Sequence, residues 1–200
     1  MIPIFEGKQA TYNKAILETL LTEGSMSAWQ LAKEITPKIP GVQRTMGSTE
    51  TQKVYSVLVR NDGRLENLKS NEYINLSQDS QKWEIAVKGM IAICIKKPQL
   101  KPLINPQYWN EQIVGDIKIP KEKMEIPLLG ITIDGKVWGK NLSNLLNKLK
   151  AGNMSINDSI VDHAKKLVDE GINLDKISTK SLMILLLEKA MKNHNIGPLF

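Results

Sequence analysis

Residues 64–90 read RLENLKSNEYINLSQDSQKWEIAVKGM, and their change of period decides the fold. Leu65 and Leu68 continue a helical pattern that begins upstream, because side chains three apart share one helix face. The period then shortens. Tyr73–Leu76 reads as a short strand, Ser77–Gln81 as a polar turn, and Lys82–Val87 as a returning strand. In that second strand Trp83, Ile85 and Val87 alternate with Lys82, Glu84 and Ala86, the period-2 signature of a half-buried strand. Lys88-Gly89 ends it, and the apolar segment Met90–Ile95 packs back on the domain.

Upstream, Thr49 to Leu68 carries Val54, Val57, Leu58, Leu65 and Leu68 on one face, which predicts a long third helix. Gly63 interrupts it at a cost of about 1 kcal/mol relative to alanine, so a kink or break is expected there. Thr11–Glu23, with Ile16, Leu17, Leu20 and Leu21, is the first helix, stopped by Gly24. Ser27 and Gln30 have capping-box spacing and open the second, whose apolar face is Ala28, Leu31, Ala32 and Ile35. Pro37 ends it, since proline has no N–H and clashes with the preceding turn. Gly41–Ser48 reads as a basic loop.

The order is helix, helix, long helix, strand, turn, strand. GSMSAWQLAKEI (Gly24–Ile35) resembles the first two helices of winged-helix regulators. RLENLKSNEYINL (Arg64–Leu76) looks like the end of their recognition helix and first wing strand, and KWEIAVKGM (Lys82–Met90) is similar to the returning strand. The family resembled is the MarR- and PadR-like group, especially its archaeal members, over roughly Thr11 to Leu100. Three positions depart from the pattern: Glu72 stands where a glycine is usual, Ala86 where threonine is usual, and the Thr36–Ser48 link is longer than a compact helix-turn-helix turn. The resemblance implies an α+β, mostly α chain. An N-terminal winged helix-turn-helix domain over 1–104 precedes a smaller, mainly helical region over 105–200 with a short β-hairpin.

Such a domain implies sequence-specific binding of double-stranded DNA by a transcriptional regulator. The third helix enters the major groove and the wing rests on the backbone. At about 100° per residue, the face opposite the apolar stripe carries Thr49, Gln52, Ser56, Arg60, Gly63 and Asn67, with Lys53 and Arg64 along one edge. Hydroxyls, amides and arginine hydrogen-bond base edges and phosphates, and no carboxylate stands at the centre of that face. The three arginines of the chain, Arg44, Arg60 and Arg64, all lie near it. On the wing, Lys82 and Lys88 are placed to meet phosphate, whereas Trp83 is a packing residue. The candidate DNA-binding residues are therefore Arg44, Thr49, Gln52, Lys53, Ser56, Arg60, Arg64 and Lys82.

In the second half, Ile104–Leu129 holds Pro106, Pro120 and Pro127 and reads as an extended connector. Ile131–Ile133, Asp134-Gly135 and Lys136–Trp138 predict a hairpin with a type I′ turn. Leu142–Leu149 predicts a short helix. Ser155–Gly171 predicts an amphipathic one, with Ile156, Ile160, Ala164, Leu167 and Val168 on its apolar face and His163 packed among them. The last helix, Thr179–Asn193, contains Leu182-Met183-Ile184-Leu185-Leu186-Leu187, apolar all round. Either it is central to a C-terminal core or it packs against a second chain. A homodimer is the expected partner arrangement.

Composition limits the other classes. At 42% hydrophobic and 24% charged the chain is of ordinary globular type, and its net charge of +6 favours a polyanionic partner. One cysteine, Cys94, allows no internal disulfide and suits a reducing compartment. No signal-like leader and no apolar run of about 20 residues is seen, so a cytoplasmic protein without a membrane partner is expected. Two histidines and one cysteine give no recognisable zinc spacing, and neither a phosphate-binding glycine loop nor a Gly-x-Ser-x-Gly elbow occurs. No catalytic residue, metal or cofactor is assigned; a small-molecule effector is left open, with Tyr108, Trp109 and Trp138 as aromatic candidates for a pocket. The alternative function is a winged-helix protein-interaction module in a chromosome-organising or transcription-machinery complex.

Overall fold

A computed structural model of the chain describes residues 2–42, 49–104, 123–126, 131–134, 136–137, 140–141, 144, 147, 156–193 and 195. The chain is mostly α with small antiparallel sheets and divides into two compact units, Met1–Lys96 and Lys97–Phe200. The boundary expected after residue 104 thus falls inside the second unit. The cause is local: the 3-10 turn Pro98–Leu103 packs on a helix of that unit, and Lys101 Nζ stands 2.6 Å from Asp162 Oδ1.

In the first unit, α1 (Ala10–Glu23) buries Ile16, Leu17 and Leu20 and ends at Gly24, whose φ of +82° suits glycine. The N-terminal turn Pro3–Phe5 adds Ile4 and Phe5 to the core, tied down by Asn13 Nδ2 donating to the Ile4 carbonyl at 2.7 Å. The predicted capping box opens α2 (Ala28–Ile35): Ser27 Oγ accepts from the Gln30 N–H, and Gln30 Oε1 accepts from the Ser27 N–H. Pro37 follows α2 directly, within a 3-10 turn that Lys38 fastens to α1 by donating to Thr19 Oγ1 at 2.7 Å.

The long third helix is two helices. α3 (Glu50–Val59) and α4 (Arg64–Ser70) are separated by a turn at Arg60–Gly63. Gly63 donates to the Arg60 carbonyl at 2.6 Å, and Asp62 takes a φ of +59°. A Cβ on Gly63 would collide with the carbonyl oxygen of Leu58 and stand 2.7 Å from that of Arg60. Close backbone approach therefore fixes glycine at the break. The stripe of Val54, Leu58, Leu65 and Leu68 is nonetheless buried as one core surface.

α4 ends in a Schellman motif: Tyr73 N–H donates to the Leu68 carbonyl and Glu72 N–H to that of Lys69, both at 2.8 Å, with Glu72 at φ +61°. β1 (Ile74–Leu76) then pairs antiparallel with β2 (Trp83–Ile85), in the register Ile74↔Ile85 and Leu76↔Trp83. An isolated bridge joins Met26, between α1 and α2, to Trp83 through reciprocal hydrogen bonds of 3.0 and 2.9 Å. The returning strand is shorter than its alternation predicts. Val87, Lys88 and Gly89 form the first turn of α5 (Val87–Lys96), because the near-continuous apolar run after them is buried as helix.

In the second unit, β3 (Lys123–Ile126) pairs antiparallel with β4 (Ile131–Asp134). The expected hairpin is displaced: β4's partner precedes it, in the stretch read as connector, and Lys136 and Val137 are helical. Asp134 does not head a hairpin turn; its Oδ1 accepts from the N–H groups of Lys136 and Val137, as a helix cap does. Most of Leu142–Leu149, with Tyr108, Trp109 and Trp138, lies outside the described residues. α6 (Ile156–Asp169) packs on α7 (Thr179–Asn193). All six residues of Leu182–Leu187 are buried in the single chain, so covering them calls for no second copy.

Candidate nucleic-acid interface

The site is best built from α3, whose outer face carries Gln52, Tyr55, Ser56 and Val59 at helical spacing, opposite buried Val54 and Leu58. A capping box sets its first turn. Thr49 Oγ1 accepts from the Gln52 N–H at 3.2 Å, and Gln52 Oε1 accepts from the Thr49 N–H at 2.7 Å. Two candidate DNA-binding side chains thus hold the helix end, and Gln52, an exposed residue, keeps its amide nitrogen as a donor. Ser56 Oγ donates to the Gln52 carbonyl at 2.9 Å and still has lone pairs to accept with. Lys53 is half-buried on the same helix.

The two arginines do not share this face as one continuous helix requires. Arg60 is the exposed C-cap residue of α3, its N–H bonded to the Ser56 carbonyl at 3.1 Å, whereas Arg64 is the first residue of α4 and half-buried. Gly63, expected on the open face, is buried. Arg60 lies near α1: burial pushes the Tyr12 hydroxyl above its ordinary pKa, and the Arg60 charge works the other way. Arg44 lies outside the described residues.

The two lysines expected on the wing separate as well. Lys82 is exposed but lines a groove of about 280 Å³ with Glu23, Ser25, Met26, Gln30 and Glu34, so two carboxylates share its surroundings. Lys88 is not available to phosphate at all: it is 1% exposed, with its ammonium 4.9 Å from the centre of the Tyr73 ring. The cause is again helical. Once Val87 starts α5, Lys88 turns inward instead of continuing the strand. Trp83 is buried, as its packing role requires.

Sequence reading missed an aromatic element beside this face. Trp29 on α2 is 40% exposed and meets Tyr55 of α3 edge to face, with ring centroids 5.3 Å apart and planes at 72°. Lys33, one turn along α2, holds its ammonium 5.9 Å from the centre of the Trp29 ring. The signal was the i, i+4 pair of Trp29 and Lys33 off the apolar face of α2, with Tyr55 off the apolar stripe of α3.

In the second unit His163 is buried on α6 and, with Glu188, Lys166 and Lys192, lines a groove of about 110 Å³ against α7. Among the described residues no three His, Cys, Asp or Glu side chains gather as metal ligands would, and no helix is long and apolar enough to cross a membrane. The chain matches no family model, no curated protein and no solved structure.

Proposed function

We propose that the first unit is a winged helix-turn-helix module that binds double-stranded DNA, serving as a transcriptional regulator. The observation that carries this reading is the Met26–Trp83 bridge. It ties the segment between the first two helices, at one residue, to the β2 edge of the β1–β2 hairpin, where the third strand of a winged helix would lie. Helix, bridge, helix, helix pair and two-stranded hairpin is the order of a winged helix. Exposed Gln52 and Arg60, with Arg64 across the break, supply donors for bases and phosphates, Ser56 supplies an acceptor for base edges, and the net charge of +6 supplies long-range attraction. The helix pair presents two short surfaces in place of one long one, so Arg60 and Arg64 act as separate contacts.

Anisotropy titration of a labelled duplex against salt tests the proposal. Each phosphate contact contributes about −0.9 to the slope of log affinity on log salt. Arg60→Ala and Arg64→Ala are each expected to reduce the slope by about one such contact, additively. Unchanged affinity in the double variant would remove this interface. A second reading, a protein-interaction module, is favoured by the exposure of Trp29 and Val59 at 40% and 44%. Absence of DNA retardation at low salt, with a co-purifying partner, would select it.

A further inference from the structure

We infer that Trp29, held by Tyr55 and flanked by Lys33, is a stacking platform for an unpaired DNA base, so that the module prefers DNA with a single-stranded end to a blunt duplex. The inference rests on the DNA-binding reading and narrows its substrate. Within a duplex the base faces are already stacked on one another and only the outer faces of the two terminal pairs are open, whereas an unpaired nucleotide offers a whole base that can move onto a surface indole. Three features of the patch suit that occupant.

First, the indole is pre-ordered. The edge contact with Tyr55 at 5.3 Å and 72° fixes its plane, so little side-chain freedom is lost when a base stacks. Second, its cover is displaceable. The Lys33 ammonium stands 5.9 Å from the ring centre, at the outer reach of a cation–π contact, on an exposed side chain. A base that displaces Lys33 leaves that ammonium beside the phosphate that follows the base. Third, the neighbours are polar. Gln52, which keeps its amide nitrogen as a donor, and Ser56, whose hydroxyl donates to the Gln52 carbonyl and keeps lone pairs to accept with, share the α3 face with Tyr55, and Arg60 caps its far end. The one carboxylate of α2, Glu34, lines the Lys82 groove.

The test compares three labelled probes on the full chain: a blunt duplex, the same duplex with a short 3′ thymidine overhang, and oligothymidine. The overhang probe is expected to bind about tenfold more tightly than the blunt one, the worth of roughly one stacked base. Trp29→Ala should bring the ratio of the two affinities to about one, Trp29→Phe should keep most of the preference, and Lys33→Ala should weaken it. Trp29→Gln, with circular dichroism to check folding, serves if the alanine variant does not fold. Equal binding of overhang and blunt probes by the native chain would overturn the stacking site while leaving the duplex reading intact. A preference that survives in Trp29→Ala would overturn it as well. No binding to any probe would overturn both.

Discussion

Gly89 at the start of α5 lies against the backbone of Tyr73: a Cβ built on the glycine would collide with the Tyr73 carbonyl oxygen. The same oxygen accepts the Ala86 N–H at 3.0 Å, so it is pinned where the hairpin passes into the helix. Gly89→Ala gains about 1 kcal/mol of helix propensity and meets a backbone atom that cannot step aside. We expect the clash to win, with a net loss of about 2 kcal/mol. Urea unfolding reads it as a lower midpoint with the slope unchanged. A midpoint equal to the native one would mean that α5 does not enter as described.

Glu72 sits at φ +61° in the Schellman turn that closes α4. A non-glycine residue in that conformation costs about 1–2 kcal/mol, part of which glycine returns through its greater freedom in the unfolded chain. Glu72→Gly is therefore expected to stabilise the protein by about 0.5 kcal/mol, seen as a rise of a few degrees in thermal unfolding. A fall would show that the glutamate side chain contributes more than its backbone conformation costs.

These two positions show what could be read before the structure. The apolar stripe of Val54, Leu58, Leu65 and Leu68 was legible because burial follows spacing, and it survived even a break in the helix beneath it. The resemblance drawn from the sequence puts a glycine at position 72, and the structure shows the positive φ that glutamate carries there. The face opposite the stripe was not legible. Periodicity assumes a single axis, and the turn at Arg60–Gly63 resets it, which separates Arg64 from Gln52 and Ser56. Lys88 was misplaced for a related reason. Val87 fits the alternation of β2 equally well as the start of α5, and only the packing of Ile91 to Cys94 decides between them. β3 was hidden because Lys123–Ile126, although it alternates polar and apolar residues, is only four residues long and lies between Pro120 and Pro127, within the stretch read as a connector.

Arg60 and Tyr12 give a spectroscopic handle on how the end of α3 meets α1. Burial raises the Tyr12 pKa above 10.0 in the folded chain, and the Arg60 charge partly offsets the rise. Between the unfolded and folded values the native state holds a proton that the unfolded state has lost. Tyr12 therefore contributes stability that is fully present below about pH 10 and is lost as pH rises through its folded pKa. Tyr12→Phe should flatten that alkaline decline. Arg60→Ala removes the opposing charge and should move the Tyr12 transition to still higher pH, followed as phenolate absorbance with Tyr12→Phe as the blank. An unmoved transition would separate Arg60 from α1.

Leu186 tests whether α7 completes its core within one chain. It is fully buried, as are its neighbours Leu182 and Leu187 at the same 0% exposure. If the chain alone covers this run, unfolding involves no change in association, and the midpoint is independent of protein concentration. Leu186→Ala should then cost about 2–5 kcal/mol by removing buried methyl groups, and it should do so equally at dilute and concentrated protein. An obligate dimer sealed by α7 behaves otherwise: its midpoint climbs with concentration, and truncating Leu186 lowers the association constant as well as the stability. Thermal unfolding of the native chain and the variant over a hundredfold range of concentration, with sedimentation to read the mass, distinguishes the two. A concentration-dependent midpoint would return the homodimer expected from the sequence and place its seam on α7.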